Sequence, residues 1–100
     1  MIEVRDDADR RRFEIVVDGV VAGVAQYQER GGRILFVHTE IDPAHEGLGL
    51  GSTLARGALD AARERGRPVV PLCPFIAAYI ERHEEYADLV DRDLLEHLGD

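Results

Sequence analysis

Three glycines at alternate positions, Gly47, Gly49 and Gly51, lie within Glu46-Gly47-Leu48-Gly49-Leu50-Gly51-Ser52, between a strand-like segment and a helix-like one. Without Cβ atoms the chain there can turn sharply and bring its backbone close to a ligand. Amides at the start of the helix lack intrahelical partners and the helix dipole adds positive charge, so a pyrophosphate is the natural ligand. The same glycines would also serve a loop that only needs positive φ angles. Cys73 directly precedes Pro74, a favoured first helical residue, which puts its sulfur at a helix N-terminus, where thiolate character is promoted. A lone cysteine equally serves as a small buried hydrophobe. His38 and Glu40 alternate along a strand and so share a face. Either could take a proton, histidine having the better unperturbed pKa, and His38 could instead be a hydrogen-bonded structural residue.

Spacing excludes the other phosphate motifs. A P-loop needs GxxxxGK[ST], and no lysine follows the glycines. A dinucleotide fingerprint needs GxGxxG; counted from Gly47 the third site is Ser52, and from Gly49 it is Leu54. His45, His83 and His97 have no companion ligands at metal spacing, so no metal is expected.

These residues need elements to hold them. Phe13 to Val17 is β-branched and ends at Asp18-Gly19, a two-residue hairpin signal. Val20 to Glu29 resumes the strand pattern across Gly23, which marks a bulge or a close backbone approach. After the turn Arg30-Gly31-Gly32, Arg33 to Ile41 carries Leu35, Val37, Thr39 and Ile41 on one face and Ile34, Phe36, His38 and Glu40 on the other. Apolar residues on both faces predict a central strand. Asp42-Pro43 stops it. Ser52 can cap a helix of about fifteen residues, with Leu54, Ala55, Ala58, Leu59 and Ala62 at helical spacing and Gly66 closing it. Val69 to Leu72 is a short strand, Pro74 opens a second helix through Tyr79 and Ile80, and Tyr86 to Leu98 reads as partly helical with Leu94, Leu95 and Leu98 as its stripe. The order predicts a mixed α/β fold, a mainly antiparallel sheet with one right-handed parallel β-α-β crossover, in a single domain over residues 1–100.

Composition narrows the partners. Twelve basic against twenty acidic residues leave a net charge of −8, which disfavours nucleic-acid binding and favours a cationic partner such as an amine. Nothing approaches the roughly 20 apolar residues that cross a bilayer, and the N-terminus has no signal-peptide pattern. With one cysteine, the chain suits a reducing compartment and a cytoplasmic location is expected.

The run from Glu46 to Gly51 resembles the acetyl-CoA signature of the GNAT acetyltransferase superfamily, (Gln/Arg)-x-x-Gly-x-(Gly/Ala). From His38-Thr39-Glu40 through the loop to Pro71-Leu72-Cys73-Pro74, the chain looks like the small single-domain members of that superfamily, a likeness spanning roughly residues 2 to 86. The departure is Glu46, where Arg or Gln is usual. The resemblance implies an acetyl-CoA-dependent N-acetyltransferase acting on an amine of a small molecule, protein or peptide. It implies that Glu46, Gly47, Leu48, Gly49, Leu50, Gly51 and Ser52 hold the coenzyme pyrophosphate, and that Thr39 and Ile41 pair with its pantetheine arm. The sheet would splay between this strand and Val69 to Leu72 to admit the thioester, with Cys73 beside it as a transient acetyl carrier or a lining residue. His38 or Glu40 would deprotonate the amine, and Tyr79 would protonate the departing sulfur or simply anchor its helix. The alternative is a non-catalytic acetyl-CoA-binding or protein-interaction module, because only a short connection separates the first strands and the helices that shape an acceptor pocket in larger relatives are missing.

Overall fold

Asp18 and Gly19 both take positive φ, 49° and 83°, as a two-residue hairpin turn demands. They join strand β2 (Arg12–Val17) to β3 (Val20–Arg30), and Gly31-Gly32 leads into β4 (Arg33–Ile41). In this computed structural model, which describes residues 1–92, an additional strand, β1 (Ile2–Asp7), pairs antiparallel with β2. The strands expected from the sequence start at Phe13; with only Ile2 and Val4 as apolar members, β1 is too short and too charged for alternation to stand out. Leu94, Leu95, Leu98 and His97 lie outside the described residues, and Tyr86 sits in a 3-10 turn, Glu84–Leu89.

The sheet order is β1-β2-β3-β4-β5, antiparallel as far as β4 and parallel between β4 and β5 (Val69–Pro71). Helix α1 (Leu50–Glu64) makes the crossover and α2 (Pro74–Arg82) follows β5. The fold is the expected mixed α/β one, antiparallel with a single parallel crossover. Each helix leaves the C-terminal end of one of two parallel strands, so the two N-termini meet at one end of the sheet. Gly51 of α1 there faces the Phe75 ring of α2.

Both helices pack on the same face. Phe13, Tyr27 and Phe36, with ring centroids 5.2 to 6.5 Å apart, meet Leu54, Leu59, Ile76 and Tyr79 in one core. Gly57 lets α1 lie directly on β1: a Cβ there would stand 2.7 Å from the Cβ of Val4. At Gly23 the close approach foreseen is present, since a Cβ would meet Ile41 at 2.5 Å and the Glu40 carbonyl at 2.8 Å, and the β2–β3 register shifts beside it.

A second shift corrects the face assignment on β4. Tyr27 pairs with Phe36 but Gln26 pairs with His38, so Val37 is an extra residue in β4. A bulge of this kind reverses the alternation that follows it. Ile34 and Phe36 face the helices, and beyond the bulge so do Thr39, opposite buried Ala25, and Ile41, packed on the core. His38 and Glu40 keep a common face, but it is the outer one, not the face of Phe36.

Candidate functional site

Gly47 and Gly49 take φ of 83° and 73°, a left-handed backbone that other residues adopt only with strain. Gly49 is the N-cap of α1, which begins at Leu50, two residues before the cap predicted at Ser52. The left-handed glycine turns the chain into the helix without a side-chain cap, and Ser52 falls inside the first turn. Gly51 has ordinary helical φ, so its lack of a side chain serves the contact with Phe75, where a Cβ would lie 2.7 Å from the ring. No side chain caps the α1 N-terminus and its first turn carries no acidic residue. The amides of residues 50–52 are therefore open donors at the positive end of the dipole.

These amides border a groove of about 420 Å³. Thr39, Ile41, Glu46, Gly47, Gly49, Leu50, Gly51 and Ser52 line it, eight of the nine residues assigned from the sequence to coenzyme binding. Leu48 does not, and is largely exposed. His45 and Phe75 complete the wall and were not foreseen. Both sit beside expected features, His45 in the 3-10 turn Pro43–His45 and Phe75 two residues past Cys73.

The strands part where the groove needs them to. β5 pairs with β4 only from Ile34 to Phe36, and the Cys73 amide adds one more bond to the Phe36 carbonyl at 2.8 Å. Among the described residues, the β5 side of β4 has no strand partner from Val37 to Ile41. Cys73 is the N-cap residue of α2, as its place before Pro74 implied, and it is buried. Its Sγ lies 3.3 Å from the Thr39 hydroxyl. Thr39 and Cys73 thus come together on the helix face at the splay.

His38 and Glu40 form a separate pair across the strand, with Nε2 2.9 Å from Oε1 and side chains 52% and 68% exposed. Tyr79 is buried and its ring stacks on His83 at 3.9 Å. His83 therefore packs on an aromatic ring. The Tyr79 hydroxyl is buried without a well-formed hydrogen bond. Its charged neighbour is Arg56, whose pKa is raised chiefly by that hydroxyl. Arg56 lies one helical turn beyond Ser52 and forms no ion pair among the described residues. Its i, i+4 relation to Ser52 was legible, but without knowing which flank of α1 faces α2 it pointed nowhere. Among the described residues no three His, Cys, Asp or Glu side chains converge as metal ligands.

Residues 12–89 match the family model of the GCN5-related N-acetyltransferases. The chain is 44% identical over 64 residues to streptothricin acetyltransferase of Streptomyces lavendulae, a match covering 61% of this chain and only 34% of that protein. It is 32% identical over 84 residues to Protein NATD1 of Gallus gallus, covering 82% of this chain and 76% of the other, and the Homo sapiens protein matches at the same identity. A GCN5-like protein of Staphylococcus aureus, solved by NMR, shares the fold with a TM-score of 0.67 and 21% identity, over 88% of this chain and 86% of that one.

Proposed function

Because the chain belongs to the GCN5-related N-acetyltransferase family, we propose that it moves the acetyl group of acetyl-coenzyme A to an amine. The observation that carries this reading is the groove at the α1 N-terminus, with open amides, no capping side chain and no acid in the first turn. A pyrophosphate there takes hydrogen bonds from the amides of residues 50–52 and gains from the dipole. Arg56, one turn on and in no ion pair among the described residues, adds a cation within reach of a phosphate. The groove runs past Thr39 and Ile41 to the unpaired edge of β4, which suits an extended amide-bearing arm. When bound, acetyl-CoA supplies the acetyl carbon: the amine nitrogen bonds to it, the C–S bond breaks, the ammonium proton passes to a base, and the coenzyme leaves as a thiolate that takes up a proton.

Within that reaction a β4 amide between Thr39 and Ile41 polarises the carbonyl. His38, steadied by Glu40 at 2.9 Å, takes the amine proton. Tyr79, whose buried hydroxyl has no well-formed hydrogen bond and lies beside the Arg56 guanidinium, returns a proton to the sulfur. Cys73 lines the thioester end beside Thr39. Positioning and polarisation supply most of the rate, and acid–base help adds about 10²–10⁴-fold.

The test is a calorimetric titration with acetyl-CoA, with ATP and NAD as controls. Saturable binding selective for acetyl-CoA is expected, and its absence in the wild-type chain overturns the reading. Ser52→Glu is the matched control, because it places a carboxylate in the groove at a helix position that welcomes one. A second reading, a coenzyme-binding module without turnover, is favoured by the exposure of His38 and Glu40, since an open face shields no reacting centre from water. Binding without transfer across a panel of amines and N-terminal peptides selects it.

A further inference from the structure

We infer that the acceptor is a compact amine bearing a second positive charge, held in a groove on the outer side of β3 and β4; this rests on the acetyl-transfer reading above. The groove measures about 650 Å³, larger than the 420 Å³ one at the helix N-terminus. The two share Ile41 and Glu46, so the end of β4 and the loop after it form a common wall. A molecule in the outer groove therefore reaches the strand segment where the thioester is expected.

Charge decides what fits. Glu40, Asp42 and Glu46 line this groove against one cation, Arg12. That cation is already engaged: its Nε and a terminal nitrogen lie 2.9 and 2.8 Å from one oxygen of buried Glu14, whose other oxygen takes Arg5 at 2.9 Å. Asp42 accepts the Ala44 amide at 3.0 Å, a contact that leaves its charge in place. The remaining lining includes Val21 and Val24. Ammonium groups are drawn to the carboxylates while a short methylene stem covers the valines. An amine carrying its own carboxylate meets three like charges. Glu46 also gains a purpose, because the signature position where a phosphate would prefer a cation here faces the acceptor as well.

The experiment titrates isotope-labelled protein with 1,4-diaminobutane and, separately, with 1-aminobutane, following backbone amides by NMR, alongside acetyl-transfer kinetics with both amines. The expected result is chemical-shift change centred on Gly23, Val24, Glu40, Asp42 and Glu46 with the diamine, and a KM about three- to tenfold lower for the diamine at low salt. In the double variant Glu46→Gln, Asp42→Asn the ratio of the two KM values should fall towards one. The carboxamide that replaces the Asp42 carboxylate can still accept the Ala44 amide, and a circular-dichroism melt checks that the variant is folded. A chain that binds acetyl-CoA but treats the two amines alike, or shifts only elsewhere, overturns the inference alone. A diamine seated in this groove on a chain with no affinity for acetyl-CoA overturns the acetyl-transfer reading, and with it the role of acceptor.

Discussion

Glu14 lies just under the outer face of the sheet, its side chain 2% exposed and covered by the stems of Arg5 and Arg12 rather than sunk in the core. Burial alone would raise its pKa; hydrogen bonds and charge from Arg5 and Arg12 outweigh that and hold it below the ordinary carboxylate value. A depressed folded pKa contributes stability that is complete above the unfolded value of about 4.3 and is lost as pH falls through the folded one. Glu14→Gln should cost about 1–3 kcal/mol at neutral pH. It should also lose less than wild type on acidification below about pH 4.5, read from melts at stepped pH; parallel acid slopes would clear Glu14 of the effect. Tyr79→Phe removes a hydroxyl with no well-formed hydrogen bond, its neighbour being the exposed Arg56, so the melting temperature should stay within about 1 °C. If that hydroxyl protonates the coenzyme sulfur, kcat should drop about tenfold or more, and an unchanged kcat would leave Tyr79 as a packing residue only. Cys73 is judged by intact-protein mass spectrometry after incubation with acetyl-CoA. A lining residue leaves the mass unchanged during turnover, whereas an adduct that disappears in Cys73→Ala would make it a carrier.

Helix α1 joins the fold to the groove, and its two ends obey different constraints. At its N-terminus, Ser52→Glu should stabilise the helix by about 0.3–1 kcal/mol through the dipole while weakening acetyl-CoA binding severely, a divergence that a melt and a titration on the same sample would display. Further along, Gly57→Ala would gain about 1 kcal/mol of helix propensity. The new Cβ, however, would stand 2.7 to 2.9 Å from three carbons of Val4, one of them its Cβ, which cannot rotate away. Forcing β1 aside should win, giving a net loss of about 1–3 kcal/mol in chemical denaturation. At this scale the sequence was readable where period and punctuation agree: α1, α2, the Asp18-Gly19 hairpin and the parallel strand all stand where their patterns put them. It was unreadable where pairing decides. The missing side-chain cap on α1 follows from a left-handed glycine, and β1 exists because β2 offers an edge, which no property of residues 2–7 announces.

The molecule as a whole carries twenty acidic residues against twelve basic ones over a Cα radius of gyration of 13.0 Å. Self-repulsion at a net −8 should outweigh its exposed ion pairs, each of which contributes little. Raising salt from about 20 to 200 mM should therefore lift the melting temperature by a few degrees, and a fall would mean that the ion pairs dominate. The lining of the groove at the α1 N-terminus was legible almost residue by residue, because a glycine signature fixes its own loop. The partition of the remaining candidates was not, since it depends on which way each β4 side chain points. Val37 settles that partition. Every position after it in β4 is out of phase with every position before it, so the strand works like a message with one inserted letter. Were β4 to alternate strictly through Val37 with no bulge, it would turn the imidazole and carboxylate towards the thiol and send Thr39 to the solvent. The His38–Glu40 pair and the Thr39–Cys73 pair are thus kept on opposite sides of one strand by a single bulged residue with no reactive group of its own.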